Sequence, residues 1–184
     1  MRVISGQMKG RKLRSVPGTS TRPTSDKVKE AIYQILGPYF DGGMVLDLYA
    51  GSGAMGIEAL SRGMDKGVFI DKTGQAIRTI KENLRETGLT EQCEVYRNDA
   101  QKTLIHLEKR KWQFHLIILD PPYQKQMLTE NINSIYEFDL LHAEGVILCE
   151  HDKKTELPEE INGIVKVREL KYGDTIMTLY EWSE

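Results

Sequence analysis

A short acidic segment after an apolar run has the residue types needed to hold an amino group on a flat base. Asp120, Pro121, Pro122 and Tyr123 follow directly on residues 116–119, which read Leu-Ile-Ile-Leu. A carboxylate accepts hydrogen bonds from an amino group, and the two prolines have rigid backbones with carbonyl oxygens that can also accept. The tyrosine ring can stack on a planar substrate. Simple turn chemistry would also place Asp-Pro-Pro at the end of a strand, so this segment alone leaves two interpretations open.

A glycine-rich segment lies upstream of it. Gly51, Gly53 and Gly56 have the spacing G-x-G-x-x-G, and Asp71 stands at the end of the next predicted strand, where an acid that binds a ribose is expected. The pattern is typical of dinucleotide-binding proteins, so an NAD(P)-dependent oxidoreductase has to be considered. Glycines that only turn a strand into a helix, without any ligand, are a further alternative.

Asp47, four residues before Gly51, favours a different cofactor. A carboxylate at the end of the first strand would repel a pyrophosphate bound at the N-terminus of the following helix, whereas it suits the ammonium group of a methionine. Hydride transfer has no need of the acidic segment at 120–123. Together the two features favour S-adenosylmethionine over a dinucleotide.

The spacing of apolar residues predicts alternating strands and helices from residue 44 onwards. Repeated strand–helix units imply a parallel sheet with helices on both faces, and a hairpin around residues 171–175 adds an antiparallel pair at one edge. Five parallel strands with a closing antiparallel pair are the plan of class I S-adenosylmethionine-dependent methyltransferases, a Rossmann-like α/β fold. The predicted strands are 45–48, 67–70, 93–97, 114–119, 146–150, 164–170 and 176–182, and the predicted helices are 54–62, 75–86, 100–109 and 126–136.

The first 40 residues are predicted to form a small basic extension, and residues 41–184 the methyltransferase domain. Extended stretches at 2–5 and 12–16 precede a loop and then a helix, which Thr24 or Ser25 can cap and which the sequence Gly-Pro at 37–38 ends. Residues 1–30 carry eight basic and two acidic side chains, a net charge of +6 in a chain whose net charge is −2. Such asymmetry indicates a polyanionic partner, although a charged segment can also be only a solvated surface.

Length and composition indicate one globular domain. The chain has 184 residues, of which 40% are hydrophobic and 28% charged. Its apolar runs are too short to span a membrane and no signal peptide follows Met1, so we expect a cytoplasmic protein. Cys93 and Cys149 stand alone in predicted strands and are expected to be buried, reduced thiols. The four histidines lack the spacing of metal ligands, so we expect no metal.

Five motifs together resemble one family. The segment 47–53, Asp-Leu-Tyr-Ala-Gly-Ser-Gly, combined with Asp-Pro-Pro-Tyr at 120–123, looks like an amino-group methyltransferase. The segments 2–6 (Arg-Val-Ile-Ser-Gly), 22–31 (Arg-Pro-Thr-Ser-Asp-Lys-Val-Lys-Glu-Ala) and 172–175 (Tyr-Gly-Asp-Thr) narrow the resemblance. Together they resemble the RsmD family, bacterial methyltransferases that act on the exocyclic N2 amine of a guanine in the 16S rRNA of the small subunit. The resemblance runs in order over essentially the whole chain.

The resemblance implies S-adenosyl-L-methionine as the cofactor and gives individual residues a role. Asp71 would bind the ribose hydroxyls; many relatives carry Glu there, and either acid can accept these hydrogen bonds. Asp99 would accept from the adenine amino group, although a strand-end acid can also be a helix cap. The implied cofactor-binding residues are Asp47, Tyr49, Gly51, Ser52, Gly53, Asp71, Asn98 and Asp99, and the implied catalytic residues are Asp120, Pro121, Pro122 and Tyr123.

In the implied mechanism, Asp120 and the Pro121 carbonyl accept the two hydrogens of the target amine while the tyrosine ring stacks on the base. The partner would be ribosomal RNA or an assembling small subunit, with no membrane, and the protein is expected to be a monomer. The alternatives are an amino-methyltransferase that acts on adenine or on a protein amide, and a non-catalytic RNA-binding protein. The implied RNA-binding residues are Arg11, Lys12, Arg14, Arg22 and Lys125; Arg22 can also be a plain helix start.

Overall fold

The structure is a computed structural model that describes residues 1–18, 24–122 and 124–184. The chain divides into two compact units, Met1–Asp99 and Ala100–Glu184. Both units combine helices with a parallel pairing of strands, and each has its own buried apolar core.

The first unit contains three parallel strands and three α-helices. Its elements are α1 (Asp26–Leu36), β1 (Met44–Asp47), α2 (Ala54–Ser61), β2 (Lys66–Asp71), α3 (Gly74–Thr87) and β3 (Cys93–Arg97), with a short 3₁₀ turn at Thr90–Gln92. The strands lie in the spatial order β3-β2-β1. The central strand β2 is fully buried at Val68, Phe69 and Ile70, as expected for a parallel strand with both faces covered.

Side-chain caps and glycines fix the helix boundaries in this unit. Ser25 caps α1 by accepting a hydrogen bond from the Val28 N–H at 3.2 Å, and Thr73 caps α3 in the same way through the Ala76 N–H. Gly88 adopts the left-handed conformation directly after α3, where its backbone N–H bonds to the last turn. The predicted cap of α1 is therefore confirmed, and α3 ends within one residue of the predicted residue 86.

The second unit carries the remaining strands. Its elements are α4 (Ala100–Glu108), β4 (Phe114–Leu119), α5 (Gln124–Glu137), β5 (Leu141–Asp152), β6 (Glu160–Ile161), β7 (Ile164–Tyr172) and β8 (Thr175–Trp182). Their spatial order is β4-β5-β8-β7-β6. β4 and β5 are parallel, whereas β8 and β7 are antiparallel to their neighbours and form the predicted hairpin.

Three local features differ from the prediction. The extended stretches at 2–5 and 12–16 do not form strands; one isolated antiparallel bridge joins Arg2 to Lys12. β5 begins five residues earlier than the predicted residue 146, and its pairing with β4 shifts register between Phe114 and Leu116. The two-residue strand β6 was not predicted, because two residues carry no readable periodicity.

The remaining expectations concern thiols and membrane spans. Cys149 is buried and Cys93 half-buried, and both are free thiols. Burial raises the pKa of Cys93 to about 12, which keeps this thiol protonated and unreactive. None of the helices in the described parts of the chain is long and apolar enough to cross a bilayer.

Candidate functional site

Asp47 and Gly56 define how β1 passes into α2. Asp47 is the last residue of β1, is 3% exposed, and accepts a hydrogen bond from the Gly56 N–H with 3.1 Å between Oδ2 and N. An added Cβ at Gly56 would lie 2.5 Å from Cε1 of Phe69, so only glycine lets the first turn of α2 pack this closely on β2. The carboxylate is thus fixed against the beginning of α2.

The loop between them depends on two left-handed glycines. Gly51 has φ +56° and Gly53 has φ +82°, a region that favours glycine. An added Cβ at Gly51 would meet no heavy atom within 4 Å, whereas one at Gly53 would contact Phe69, Ile57 and Ile80 at 3.4–3.5 Å. Gly51 therefore borders open space on the outer side of the loop, and Gly53 faces the core.

Asp71 binds this glycine loop to the neighbouring strand. Its Oδ2 accepts from the Gly51 N–H at 2.9 Å, and its Oδ1 accepts from both the backbone N–H and the hydroxyl of Thr73 at 3.0 and 3.1 Å. The same carboxylate that is expected to bind ribose hydroxyls therefore also joins the glycine loop to the cap of α3.

Asn98 and Asp99 follow the third strand at the same edge. β2 and β3 pair in parallel up to Asp71 and Arg97, and the Asn98 N–H donates to the Asp71 carbonyl at 3.1 Å. Asn98 Oδ1 accepts from the Asp99 N–H at 2.9 Å, and Asp99 is exposed. Tyr49 and Ser52, in the loop after β1, are half-buried. The structure thus brings all eight predicted cofactor-binding residues to the carboxyl edge of the three strands in the first unit.

An N-terminal arm, residues 1–16, packs on α2 and α3 through its backbone. Glu58 accepts from the N–H groups of Ile4 and Ser5 at 2.8 and 3.1 Å, and Ser61 Oγ accepts from the Met8 N–H at 2.9 Å. Because helix side chains bind the backbone of the N-terminal arm, the basic side chains of the arm remain at its surface.

The predicted RNA-binding residues of the arm are not all unpaired. Arg14 forms an ion pair with Glu86 at 2.8 Å, which raises the pKa of Arg14, and Arg11 Nη1 donates to the Glu86 carbonyl at 2.9 Å. Lys12 is exposed and has no side-chain partner among the residues that the structure describes. Arg22 lies outside those residues. Long-range pairing with α3 therefore neutralises part of the positive charge of the arm, and the predicted role of these residues in RNA binding stays a prediction.

A buried charge cluster, Lys29, Glu58 and Arg62, supports the N-terminal arm. Glu58 is 0% exposed and lies 3.4 Å from Lys29 Nζ and 2.8 Å from Arg62 Nε. Burial lowers the pKa of Lys29, and the Glu58 carboxylate opposes this shift. Lys29 Nζ also donates to the Arg2 carbonyl at 2.7 Å. One carboxylate on α2 thus holds two cations and the backbone of the arm.

The acidic segment belongs to the second unit. Asp120 is exposed and follows Leu119, which pairs with Cys149 of β5; Pro121 is buried and Pro122 is exposed. Tyr123 lies outside the described residues, so its predicted stacking role stays a prediction. Lys125 is exposed on the first turn of α5.

Gln124, at the beginning of α5, holds the far end of this segment. Its Oε1 accepts from the Asp152 N–H at 2.7 Å and from the Thr155 hydroxyl at 3.3 Å. The Asp152 carboxylate in turn accepts from the N–H groups of Lys154 and Thr155 at 2.9 and 3.0 Å. The acidic segment is therefore connected to β5 at both of its ends, through the β4–β5 ladder and through Gln124.

The sequence prediction missed Glu58, Asn83 and Gln124. Glu58 interrupts an otherwise apolar helix, and Asn83 falls on the buried face of α3 with Ile80 and Leu84, so both positions carry a signal for a buried polar group. That signal gives no information about the partners, and those in the N-terminal arm lie 53 to 69 residues away in the chain.

Comparisons with known proteins agree with the resemblance in the sequence. A family model described as "Conserved hypothetical protein 95" matches residues 1–181. "Putative rRNA methyltransferase YlbH" of Bacillus subtilis is 51% identical over 98% of both chains. "Ribosomal RNA small subunit methyltransferase D" of Haemophilus influenzae is 32% identical over 91% of this chain and 92% of its own.

Two solved structures establish the fold. The structure of "Putative methyltransferase yhhF from Escherichia coli" superposes with a TM-score of 0.85 at 29% identity, covering 100% of this chain and 98% of its own. An RNA methyltransferase from Salinibacter ruber, in complex with S-adenosyl-L-homocysteine, superposes with a TM-score of 0.67 at 16% identity, covering 89% and 95%. The predicted α/β fold with a parallel sheet is therefore confirmed.

Proposed function

The chain belongs to the RsmD family, and we propose that it methylates the N2 amine of a guanine in 16S ribosomal RNA with S-adenosylmethionine as the methyl donor. Relatives named as rRNA methyltransferases match it along nearly its whole length, which supports rRNA as the substrate class. The choice of guanine N2 is the finer part of the proposal and rests on the resemblance of the five sequence motifs to the RsmD family.

The observation that carries the proposal is the hydrogen-bonded unit of Asp71, the glycine loop and Asp47. Asp47 and Asp71 accept hydrogen bonds from N–H groups at the two ends of the glycine-rich segment, and the outer side of the glycine loop is open at Gly51. Asp47, at the end of β1, suits the methionine ammonium, and Asp71 has an acceptor site left on Oδ2 for a ribose hydroxyl. Asp99 is assigned to the adenine amino group, with Asn98 orienting its backbone.

S-adenosylmethionine supplies a methyl group on a sulfonium, which is already electrophilic. The enzyme has to orient the guanine amine, whose lone pair is delocalised into the ring. Asp120 and the Pro121 carbonyl would accept the two amine hydrogens, orient the lone pair for attack and stabilise positive charge that grows on nitrogen. As the C–N bond forms and the C–S bond of the donor breaks, the nitrogen would lose one proton to solvent. Tyr123 stacks on the base, which contributes roughly 1–3 kcal/mol. A base that is methylated on this edge has to be unpaired or flipped from its helix.

The basic N-terminal extension, residues 1–40, is proposed to bind the RNA backbone. Backbone anchoring on α2 and α3 leaves the Lys12 side chain exposed for a phosphate. Arg11 and Arg14 would exchange their bonds to Glu86 for phosphate oxygens, since a surface ion pair contributes only about 0–1 kcal/mol. Lys125 on α5 and Arg22 are assigned to the same RNA. Residues 41–184 form the catalytic part in this proposal.

Transfer of labelled methyl groups tests the proposal. Purified protein is incubated with labelled S-adenosylmethionine and with 16S or 23S rRNA, or small subunits, from a strain that lacks the gene. We expect incorporation into the 16S species only. Incorporation into 23S rRNA alone, or none into any RNA while NADH binds, would contradict the proposed function.

A further inference from the structure

Asn83 joins two segments that the proposed function assigns to different ligands. Its side chain lies on α3 and is fully buried. Nδ2 donates to the Arg14 carbonyl at 3.0 Å and to the Ser52 carbonyl at 2.9 Å, and Oδ1 accepts from the Arg14 N–H at 2.8 Å. Both amide hydrogens are therefore used, one on the N-terminal arm and one on the glycine loop.

On the loop side, Asn83 fixes one peptide group. The Ser52 carbonyl and the Gly53 N–H belong to the same planar peptide unit and point in opposite directions. Asn83 binds the carbonyl, and the Ala50 carbonyl accepts from the Gly53 N–H at 2.8 Å. The peptide is thus held from both sides, directly between the two left-handed glycines 51 and 53.

On the arm side, Asn83 holds the backbone and leaves the side chain outside. The N–H and the carbonyl of Arg14 both bind Asn83, while the Arg14 side chain is 62% exposed and pairs with Glu86. Movement of the arm at Arg14 would break two hydrogen bonds of an amide that is fully buried, which is costly for that amide. The third bond of that amide is the one that holds the glycine loop.

We propose that Asn83 is a positioning residue that couples the N-terminal arm to the cofactor loop, so that RNA bound at the arm strengthens cofactor binding. The inference rests on the proposed function for the identity of the two ligands. RNA phosphates on the arm restrain the Arg14 backbone, Asn83 is restrained with it, and the loop is preorganised for the cofactor. Linkage requires the reverse as well, so cofactor strengthens RNA binding by the same factor.

A pair of substitutions at residue 14 isolates the backbone bond. Arg14→Pro and Arg14→Ala both remove the guanidinium, but only proline removes the N–H that Asn83 Oδ1 accepts. In the absence of RNA, Arg14→Pro is expected to bind S-adenosylhomocysteine about 5–10-fold more weakly than Arg14→Ala does. Amide hydrogen exchange in residues 50–54 should be faster in the proline variant than in the alanine variant.

Asn83→Ala provides the second test, in the presence of 16S rRNA. In the wild type, saturating rRNA should tighten S-adenosylhomocysteine binding by at least about 5-fold, and in Asn83→Ala this gain should disappear. Equal affinities and exchange rates for the two residue-14 variants, with the rRNA effect intact in Asn83→Ala, would overturn the coupling while the proposed function stands. A wild-type protein that fails to bind S-adenosylhomocysteine would overturn the proposed function, and this inference with it.

Discussion

The Asp71 carboxylate accepts a hydrogen bond from the backbone N–H of Gly51, with 2.9 Å between Oδ2 and N. The end of β2 thereby holds the loop that follows β1, and the second carboxylate oxygen caps the turn that leads into α3 through Thr73. A residue assigned to the ribose of the cofactor is therefore also a structural link between two strand ends.

Asp71→Asn should weaken S-adenosylhomocysteine binding by about 10–100-fold, since a hydrogen bond to a charged group contributes about 1.5–3 kcal/mol. One amide oxygen cannot replace both carboxylate oxygens at Gly51 and Thr73. Isothermal titration gives the affinity, and exposed Glu91→Gln serves as the control. If Asp71→Asn bound S-adenosylhomocysteine as tightly as the wild type, Asp71 would not be a cofactor-binding residue.

Two glycines of the loop should respond differently to alanine. Gly51→Ala places a methyl group in open space, so unfolding free energy should fall by only about 1–2 kcal/mol, the cost of a left-handed alanine. The affinity of Gly51→Ala for S-adenosylhomocysteine should also fall, because the methyl group points to the side proposed for the ligand. Gly56→Ala pushes against the Phe69 ring and should cost about 1–3 kcal/mol of stability. Denaturant titrations and S-adenosylhomocysteine titrations on both variants separate the two effects.

Glu58→Gln should destabilise the protein by about 3–5 kcal/mol, because Arg62 then loses its carboxylate partner and buried Lys29 keeps only Asp26, at 4.0 Å. The N-terminal arm should also loosen, since the amide retains only one oxygen for the N–H groups of Ile4 and Ser5. Urea denaturation and amide exchange of residues 4 and 5 are the measurements. A change below about 0.5 kcal/mol, the range of ordinary surface substitutions, would mean that the cluster is energetically neutral.

Two variants of the N-terminal arm and its partner Glu86 should change RNA affinity in opposite directions. Replacing Arg11, Lys12 and Arg14 with alanine should weaken RNA binding and reduce the log–log salt slope by roughly 0.7–0.9 per lost phosphate contact. Glu86→Gln should strengthen RNA binding, because it removes the closer of the two carboxylates beside Arg14 and leaves only Glu82, at 3.9 Å. RNA affinity at several salt concentrations tests both variants. Parallel salt plots for the triple variant and the wild type would mean that the arm is only a solvated surface.

Much of the fold could be predicted from the sequence because its signals are local. Ser25 and Gly88 stand at helix ends, and continuous apolar runs mark the parallel strands. The supporting contacts could not be predicted in the same way. Arg14 also pairs with Glu86, 72 residues further along the chain, and no local pattern encodes such a pairing.

In the candidate site, too, the sequence predicts the positions of residues but not their long-range contacts. The strand-end acids Asp47 and Asp71 could be placed at one edge, since parallel strands bring their carboxyl ends together. That these carboxylates also bind the Gly56 and Gly51 N–H groups depends on the backbone conformation of the loop, which the sequence does not give.

Asp120→Ala should lower the methylation rate by at least about 100-fold, comparable to the loss of one preorganised electrostatic contact. S-adenosylhomocysteine affinity should stay within a few fold, because Asp120 is assigned to the amine and not to the cofactor. Single-turnover kinetics and calorimetry measure the two quantities. Near-normal turnover in Asp120→Ala would mean that Asp120 has only a structural role, and it would contradict the proposed mechanism.

The most direct measurement of the central claim is the identity of the methylated nucleoside. Ribosomal RNA from a strain that lacks the gene is methylated with the purified protein, digested to nucleosides and analysed by mass spectrometry against standards. N2-methylguanosine should appear in 16S rRNA at up to one per molecule, and Asp120→Ala should leave it at background. N6-methyladenosine in its place, or methylation of a base on a ring atom, would contradict the account of an exocyclic guanine amine held by Asp120 and Pro121.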